Sequence, residues 1–302
     1  MEYVVEEENM DRIRMELDRM GIPFHDMGDI CILQDKDGIV VARVQGDARS
    51  CVLKCFQNGA HRREISNYRV LQSLNIPTIA VVAETDSALL LEDLDDSPVY
   101  RLGTASDLAD PVVARRLAGW YRQLHQRGYS YVARHGSGMY DEADFFTQEH
   151  IAEVKEKTGT QADAVWKLLE ERFDAIREML GRTRRTLTYN DFYYTNLAVA
   201  RDRSAALMFD YNLLGKGYAY SDVRNVLSSL APQSRDAFLA AYGAVDPLEM
   251  AVDDVVSPVV TLCMACRRTQ FPDWAADLVD EICTTLACKI QRLMAWRPGR
   301  IV

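Results

Sequence analysis

The stretch TYNDFYYTNLAVARDRSAALMFDY, residues 188–211, contains the polar residues that decide how this chain is interpreted. Asn196 follows Asp191 by five residues, and a second carboxylate, Asp210, lies near the end of the stretch. Between them, two short apolar runs separated by a polar turn predict a β-hairpin over residues 197–209. Because a hairpin returns the chain to its starting point, Asp210 is expected to lie near Asn196.

This spacing suits phosphoryl transfer. Transfer from ATP needs a carboxylate to orient and deprotonate an acceptor hydroxyl, oxygen ligands for Mg²⁺, and a lysine on the phosphates. Asp191 would face the acceptor, while Asn196 and Asp210 would share a metal ion. Since Asp and Asn are also common in turns, the three residues alone leave an ordinary polar loop as an open alternative.

A lysine lies inside an apolar strand pattern upstream of this stretch. Lys54 is near the centre of CVLKCF, residues 51–56, and burying an ammonium group is costly unless it is paired. Glu64 lies next to the apolar stripe of a segment with helical periodicity, residues 60–74. A strand lysine paired with a helix glutamate directs an ammonium group at ATP phosphates. The alternative is a solvated Glu64 and an edge-strand Lys54.

Together these motifs resemble the aminoglycoside phosphotransferase and choline kinase superfamily, the small-molecule branch of the protein-kinase-like fold. The resemblance covers roughly residues 28–230. The family's catalytic loop, H-G-D-x-x-x-x-N, corresponds here to residues 189–196, and its metal segment, I-D-[FWY], to residues 209–211. Lys54 and Glu64 fall where the family has its strand lysine and helix glutamate.

Three further segments fit the same resemblance. LLLEDL, residues 89–94, is similar to the connection between the two lobes, whose backbone binds adenine. This similarity implies that Glu92 and Leu94 contact the nucleotide. WYRQLH, residues 120–125, resembles the long helix under the catalytic loop, and Asp222 resembles the aspartate that braces that loop.

The sequence departs from the family pattern in three places, one of which is the short separation of ten residues between Lys54 and Glu64, which is compatible with the family. Tyr189 replaces the usual histidine before the catalytic aspartate, a histidine that is mostly structural in the family. No glycine-rich phosphate loop is visible, and the first turn is predicted at residues 34–38. Asp35 and Asp37 in that turn would repel a triphosphate unless they point away from it.

The resemblance implies an α+β, two-lobed protein-kinase-like fold. A small antiparallel-sheet lobe that binds the nucleotide would span residues 1–94, and a larger helical lobe with the catalytic loop and the acceptor site would span residues 95–302. The implied activity is ATP- and Mg²⁺-dependent transfer of the γ-phosphoryl group to a hydroxyl of a small molecule, such as an aminoglycoside, a choline-like amine or a sugar. The implied roles are catalysis by Asp191, nucleotide binding by Lys54, Glu64, Glu92 and Leu94, and metal binding by Asn196 and Asp210.

Two other interpretations stay open. One is a catalytically silent nucleotide-binding protein of the same fold, an alternative that the missing histidine and the acidic first turn favour. The other is a protein kinase, although the chain lacks the G-x-G-x-x-G, D-F-G and A-P-E segments of that class.

Composition limits the partners. The chain has 302 residues and a formal net charge of −10, which argues against a broad nucleic-acid-binding surface. It has no apolar stretch of about 18 residues, the length that a membrane span needs.

Its acidic, amphipathic start differs from a signal peptide, so a cytoplasmic protein is expected. The expected partner is the small-molecule acceptor, and the sequence leaves the oligomeric state open.

Acidic and aromatic residues could receive a cationic acceptor. The candidates are residues 140–144 (YDEAD), residues 273–274 and the pair Tyr193 and Tyr194, because carboxylates and rings attract an ammonium group. The alternative for residues 141–144 is the start of a helix, where acidic side chains cap the backbone. At least one aromatic ring of residues 192–194 is expected to line the acceptor site.

The seven cysteines suggest reduced thiols, because their number is odd. Four of them, Cys263, Cys266, Cys283 and Cys288, could bind zinc. They lie in apolar, helical segments, however, where cysteine usually behaves as a small buried apolar residue.

Periodicity predicts where the regular elements lie. Strands are expected near residues 28–34, 39–45, 50–57, 79–84 and 87–92. Helices are expected at residues 6–20, 60–74, 109–127, 141–156, 160–180, 221–230, 233–243, 247–269 and 273–296.

Overall fold

The computed structural model describes residues 2–22, 30–46 and 48–297. Its strands are β1 (Ile30–Lys36), β2 (Ile39–Gln45), β3 (Ser50–Phe56), β4 (Val81–Glu84), β5 (Ala88–Glu92), β6 (Tyr100–Leu102), β7 (Arg185–Thr188), β8 (Leu197–Ala200), β9 (Ala206–Met208) and β10 (Gly215–Tyr218). Its α-helices are α1 (Glu2–Arg19), α2 (Arg63–Ser73), α3 (Pro111–His135), α4 (Gln148–Thr158), α5 (Ala164–Arg182), α6 (Ala219–Ser229), α7 (Pro232–Tyr242), α8 (Pro247–Cys266) and α9 (Trp274–Met294).

The chain divides into two compact units, each built from separate segments. Unit 1 comprises residues 1–124, 191–214 and 229–242, and unit 2 comprises residues 125–190, 215–228 and 243–302. The predicted α+β class, with a small antiparallel sheet and a larger helical portion, is confirmed. The boundary expected between residues 94 and 95 stays a prediction.

Unit 1 contains a five-stranded antiparallel sheet in the order β1-β2-β3-β5-β4. Alternate residues of β2 are buried, as the period of two in a strand requires. They pack with Ile13 and Leu17 of α1 and Leu53 of β3 in one apolar core. The first two residues of the predicted strand 28–34 lie outside the described residues.

The turn between β1 and β2 is tighter than predicted. β1 continues to Lys36, and the two turn residues, Asp37 and Gly38, have φ values of 55° and 78°. Such positive values are typical of the two-residue turns that join antiparallel strands. Asp35 accepts a hydrogen bond from Asn9 Nδ2 at 2.8 Å, so its carboxylate is held by α1.

A second, three-stranded sheet of unit 1, in the order β6-β8-β9, contains the hairpin that the sequence predicts. Leu197 pairs with Met208 at the open end of the hairpin. The partner strand β6 has three residues and was not predicted.

Unit 2 is mostly helical. Residues of α4, α5, α8 and α9 form its apolar core, with Trp166 and Leu286 fully buried in it. The two-stranded sheet β10-β7, whose strands have four residues each, was not predicted. No described helix is long and apolar enough to cross a membrane.

The largest differences from the predicted helix boundaries are in α3 and α4. α3 does not end at residue 127 but continues to His135, and Gly128 lies inside the helix at a close approach to β7. A Cβ atom at Gly128 would lie 2.5 Å from Thr186 Oγ1 and 2.6 Å from the Leu187 nitrogen. α4 begins at Gln148 rather than residue 141, since a short 3-10 helix over residues 142–145 comes first and Thr147 caps α4.

Candidate active site

Lys54 lies in the middle of the five-stranded sheet, with Val41 of β2 on one side and Leu89 of β5 on the other. The lysine residue is only 8% exposed, and Glu64 on α2 is fully buried. Lys54 Nζ donates to Glu64 Oε1 at 2.8 Å and to Oε2 at 2.7 Å. The ion pair predicted from the sequence is therefore present.

The ammonium group of Lys54 has a second acidic neighbour. Its Nζ donates to Asp210 Oδ1 at 3.1 Å. Burial alone would lower the pKa of Lys54, but Glu64 and Asp210 outweigh burial and raise it. Lys54 therefore carries a fixed positive charge, and it bridges a buried carboxylate and the more exposed Asp210, whose side chain is 37% accessible.

The hairpin β8–β9 brings Asn196 and Asp210 to the same end of two neighbouring strands. The Phe209 N–H donates to the Asn196 carbonyl at 2.9 Å. Asp210 itself has a φ of 61°, a left-handed conformation that costs energy for a residue with a side chain. The next residue holds this turn in place, because the Tyr211 carbonyl accepts from Asn67 Nδ2 at 2.7 Å.

Asp191 is held by the amide of Asn196. Asn196 Nδ2 lies 3.2 Å from Asp191 Oδ2 and 3.3 Å from the Asp191 carbonyl oxygen. Burial raises the pKa of Asp191, and the nearby charge of Asp210 raises it further. A carboxylate with a raised pKa is a better proton acceptor than an ordinary one.

The oxygen atoms of this cluster fit Mg²⁺. The amide nitrogen of Asn196 faces Asp191, which leaves its carbonyl oxygen as an available ligand atom. One carboxylate oxygen of Asp210 accepts from Lys54, and the other remains. Oxygen atoms of this kind, from one or two protein side chains, are what Mg²⁺ uses when phosphates supply further ligands.

The segment with Glu92 and Leu94 leaves a backbone donor available. The Glu92 N–H donates to the Ala80 carbonyl at 3.0 Å, and in the part of the chain that the structure describes, the Leu94 N–H has no acceptor. Asp93 between them is 4% exposed. Its carboxylate accepts from the Arg43 guanidinium and from Ser50 Oγ. This anchor was missed, since nothing in the sequence distinguishes Asp93 from the neighbouring acidic residues.

Within unit 2, Asp222 fixes the backbone just before Asp191. Its carboxylate accepts from the Tyr189 N–H at 2.8 Å and the Asn190 N–H at 2.9 Å. The His125 Nε2 atom lies 3.0 Å from the same carboxylate, and both side chains are almost fully buried. The bracing role that the resemblance implied for Asp222 matches this geometry. His125 was not singled out, because one histidine at the end of an apolar helical segment has no distinctive spacing.

The candidate acceptor residues have different environments. Phe192 is buried, whereas Tyr193 and Tyr194 are 61% and 41% exposed, and their contact with an acceptor stays a prediction. Asp141 caps the 3-10 helix by accepting from the Ala143 N–H at 3.0 Å, and it forms an ion pair with Arg185. The helix-start interpretation of residues 141–144 is thus confirmed.

The four C-terminal cysteines do not form a metal cluster among the described residues. The one group of potential metal ligands found there combines Cys263 with His150 and Glu153. Both partners are already engaged, since the Arg267 guanidinium contacts His150 and Lys157 Nζ donates to Glu153 at 2.9 Å. Cys263 and Cys266 are buried, as expected for cysteines that pack as apolar residues.

Comparison with known proteins gives one family match. The model of the phosphotransferase enzyme family matches residues 36–252. A search of curated proteins found no match.

Several solved structures have a similar fold. A choline kinase from Streptococcus pneumoniae is 12% identical, with a TM-score of 0.60 over 91% of this chain and 99% of that one. A macrolide 2'-phosphotransferase from Brachybacterium faecium is 17% identical, with a TM-score of 0.59 over 89% and 96%. A spectinomycin phosphotransferase, in complex with ADP and spectinomycin, is 11% identical, with a TM-score of 0.57 over 90% and 91%. At these identities the likeness shows the fold.

Proposed function

Because the chain belongs to the phosphotransferase enzyme family, we propose that it transfers the γ-phosphoryl group of ATP to a hydroxyl of a small molecule. The observation that carries the proposal is the cluster in unit 1. Lys54 is fixed by Glu64 and reaches Asp210, while Asn196 holds Asp191. The cluster combines a phosphate-binding cation, two sources of metal ligands and a proton acceptor, which are the groups that phosphoryl transfer needs.

On the nucleotide side, Lys54 contacts the α- and β-phosphates, and Glu64 keeps its ammonium group in position. The Leu94 N–H, together with the Glu92 carbonyl, binds the adenine edge. Asn196 and Asp210 would hold Mg²⁺, which would supply positive charge to neutralise the phosphates of the nucleotide.

On the acceptor side, Asp191 orients the hydroxyl and takes its proton. The acceptor oxygen forms a bond to the γ-phosphorus as the bond from that phosphorus to the β-γ bridging oxygen breaks, and ADP leaves. The proton of the hydroxyl goes to a carboxylate oxygen of Asp191. Positioning accounts for most of this residue's effect, because loose phosphoryl-transfer transition states need little help from a base.

A transfer assay with γ-labelled ATP tests the proposal. The first acceptors to test are choline, macrolides and spectinomycin, which the names of similar proteins mention, followed by sugars. Asp191→Asn should remove transfer and any ATP hydrolysis while nucleotide binding persists. The matched control is Asp202→Asn, an exposed carboxylate in the hairpin turn, which should leave both unchanged.

Two results would change the proposal. Normal turnover by Asp191→Asn would refute the assigned chemistry. Nucleotide binding without transfer or hydrolysis under any condition would favour the catalytically silent alternative, which the Tyr189 replacement supports.

A further inference from the structure

Unit 2 contains a crevice that the proposed chemistry does not use. Its outer part is an open groove of about 570 Å³ that runs along Tyr129 and Val132 of α3. Its inner part is a recess of about 30 Å³ that reaches Ser257 and Thr261 of α8. Asp141, Arg185 and Lys216 line both parts, so the two parts adjoin.

Among the side chains that line this crevice, cations outnumber carboxylates. Arg184, Arg185, Lys216 and Arg224 line it, against Asp141 and Glu142. Burial raises the pKa of Glu142 to about 7, so this carboxyl is only partly ionised at neutral pH. Asp141 pairs with Arg185 and Asp253 pairs with Arg224, so Arg184 and Lys216 are the lining cations without a carboxylate partner among the described residues. Unmatched cations attract anions.

Arg185 has a buried donor without a partner. Its Nη2 atom forms the ion pair with Asp141. Its Nη1 atom is buried and has no hydrogen-bond acceptor among the described residues. Buried polar groups are almost always hydrogen-bonded. A water molecule or a ligand is therefore expected to accept a hydrogen bond from this Nη1 atom.

Lys216 lies on β10 with its position fixed by the backbone. Its N–H donates to the Tyr140 carbonyl at 2.8 Å, and Gly215 before it permits this approach, since a Cβ there would lie 2.2 Å from the same oxygen. Within the described ranges, the Lys216 ammonium group has no acidic partner. Its charge is therefore available to a ligand, unlike that of Arg224, which Asp253 matches at 2.7 Å.

The outer groove offers a surface for an apolar or planar group. The ring of Tyr129 forms one wall, and the Arg184 guanidinium stacks on it at 3.8 Å from the ring centroid. Val132 and Ala133 continue this wall along α3. In the recess, Ser257 and Thr261 are four residues apart on one helix face, so both residues line the same space.

We infer that this crevice binds a small anionic molecule. Its phosphate or carboxylate group lies between Arg185 and Lys216, with the hydroxyls of the recess beyond it, and its apolar part lies against Tyr129. The volume of the groove is typical of small-molecule sites. The inference rests on unit 2 alone and stands whether or not the chain transfers phosphate. It also implies that an ammonium ligand does not bind in this crevice.

Calorimetric titration of the full chain with phenyl phosphate and with benzoate, at constant ionic strength, tests the inference. Each probe carries an anionic group on an apolar ring, and tighter binding of one tells whether the natural ligand is a phosphate or a carboxylate. Lys216→Gln is the main variant, because in the described part of the chain the Lys216 ammonium group has no ion pair that the substitution would break. Lys167→Gln, an exposed lysine of α5 outside the crevice, is the matched control.

The wild type and Lys167→Gln should bind at least one probe with one-to-one stoichiometry. Lys216→Gln should bind it roughly tenfold more weakly, the usual effect of removing a charge-assisted hydrogen bond. Arg184→Gln, also exposed, should weaken binding in the same direction and gives a second test if Lys216→Gln does not fold. Equal affinity in these variants and the wild type would overturn the inference, as would no binding of either probe or equally tight binding of tetramethylammonium.

Discussion

At the scale of single residues, Lys54 and Glu64 form a buried ion pair in the candidate site. A buried lysine is stable only while its charge is matched, and Glu64 supplies two hydrogen bonds of 2.8 and 2.7 Å. Removing one partner of a buried pair leaves the other charge uncompensated, which is far costlier than losing a surface pair.

We expect Glu64→Gln to lower the free energy of unfolding by about 3 kcal/mol, because Lys54 then keeps only Asp210 as an ionised neighbour. Urea denaturation of the purified protein measures this change. Glu84→Gln is the matched control, since Glu84 pairs with exposed Arg69 at 2.7 Å and the loss should stay within about 1 kcal/mol. Equal losses in the two variants would mean that the buried pair has no special role.

The sequence was sufficient to predict the Lys54–Glu64 pair. A lysine inside an apolar strand demands a partner, and one acidic residue adjoins the apolar stripe of the following helix. The contact between Lys54 and Asp210 was not predicted, because the two residues are 156 positions apart and only the fold brings them together. Asp93 and His125 were missed for the same reason, since each is recognised only by a distant partner.

At the scale of elements, Gly128 allows α3 to pack closely against β7. Gly128 lies where a side chain would collide with β7, whereas a Cβ atom added at Gly119 in the same helix would meet no other atom within 4 Å. Adding a side chain is therefore expected to have opposite effects on stability at these two positions of one helix.

Gly128→Ala should destabilise the protein by about 1–3 kcal/mol, because β7 must shift to admit the methyl group. Gly119→Ala should instead stabilise it by up to about 1 kcal/mol, since alanine favours a helix and no atom is in the way. Thermal unfolding of both variants measures whether Gly128→Ala lowers the stability and Gly119→Ala raises it. A stable Gly128→Ala protein would show that α3 and β7 are not in close contact.

Glu249, in the first turn of α8, is 3% exposed and accepts from the Tyr220 N–H of α6 at 3.0 Å. Burial raises its pKa from 4.5 to about 7. The folded state therefore binds this proton more tightly than the unfolded state, so stability falls as the pH rises from 4.5 to 7.

Glu249→Gln removes this pH-dependent cost and keeps the acceptor oxygen. The variant should gain stability relative to the wild type as the pH rises from 4.5 to 8, by at most about 3 kcal/mol. Denaturant unfolding at several pH values measures the difference. Asp254→Asn, an exposed change on the same helix, should alter stability by less than about 1 kcal/mol. A difference between Glu249→Gln and wild type that does not vary with pH would contradict the expected titration.

Elements with clear periodicity were predicted, and those that depend on partners were not. The strands of the larger sheet and the hairpin β8–β9 follow from alternating or apolar runs between turn residues. β6, β7 and β10 have only three or four residues, too few for a pattern, and they form because a neighbouring strand is already present. The start of α4 was misplaced because Asp141 and Thr147 both have the sequence of a helix cap.

At the scale of the whole molecule, the order of the motifs along the chain identified the family, because each motif alone is weak. Composition could not indicate that each compact unit combines several separate segments, since that arrangement depends on contacts between distant residues. The unmatched cations in the crevice of unit 2, Arg184 and Lys216, also do not follow from the net charge of −10.

Nucleotide binding should raise the thermal stability of the whole protein. A ligand that binds only the folded state raises the unfolding midpoint by mass action, with about 2.7 kcal/mol gained at a hundredfold excess over Kd. Under the proposed function Asn196 and Asp210 would hold Mg²⁺, so nucleotide binding is expected to depend on Mg²⁺.

The most direct test is a thermal-shift titration with ATP and Mg²⁺, separately and together, on the wild type and Asp210→Asn. The proposed mechanism predicts that ATP raises the midpoint of the wild type when Mg²⁺ is present, and that Asp210→Asn loses the Mg²⁺-dependent part of this shift. No shift of the wild type at millimolar ATP with Mg²⁺, or a shift that Asp210→Asn retains in full, would contradict it.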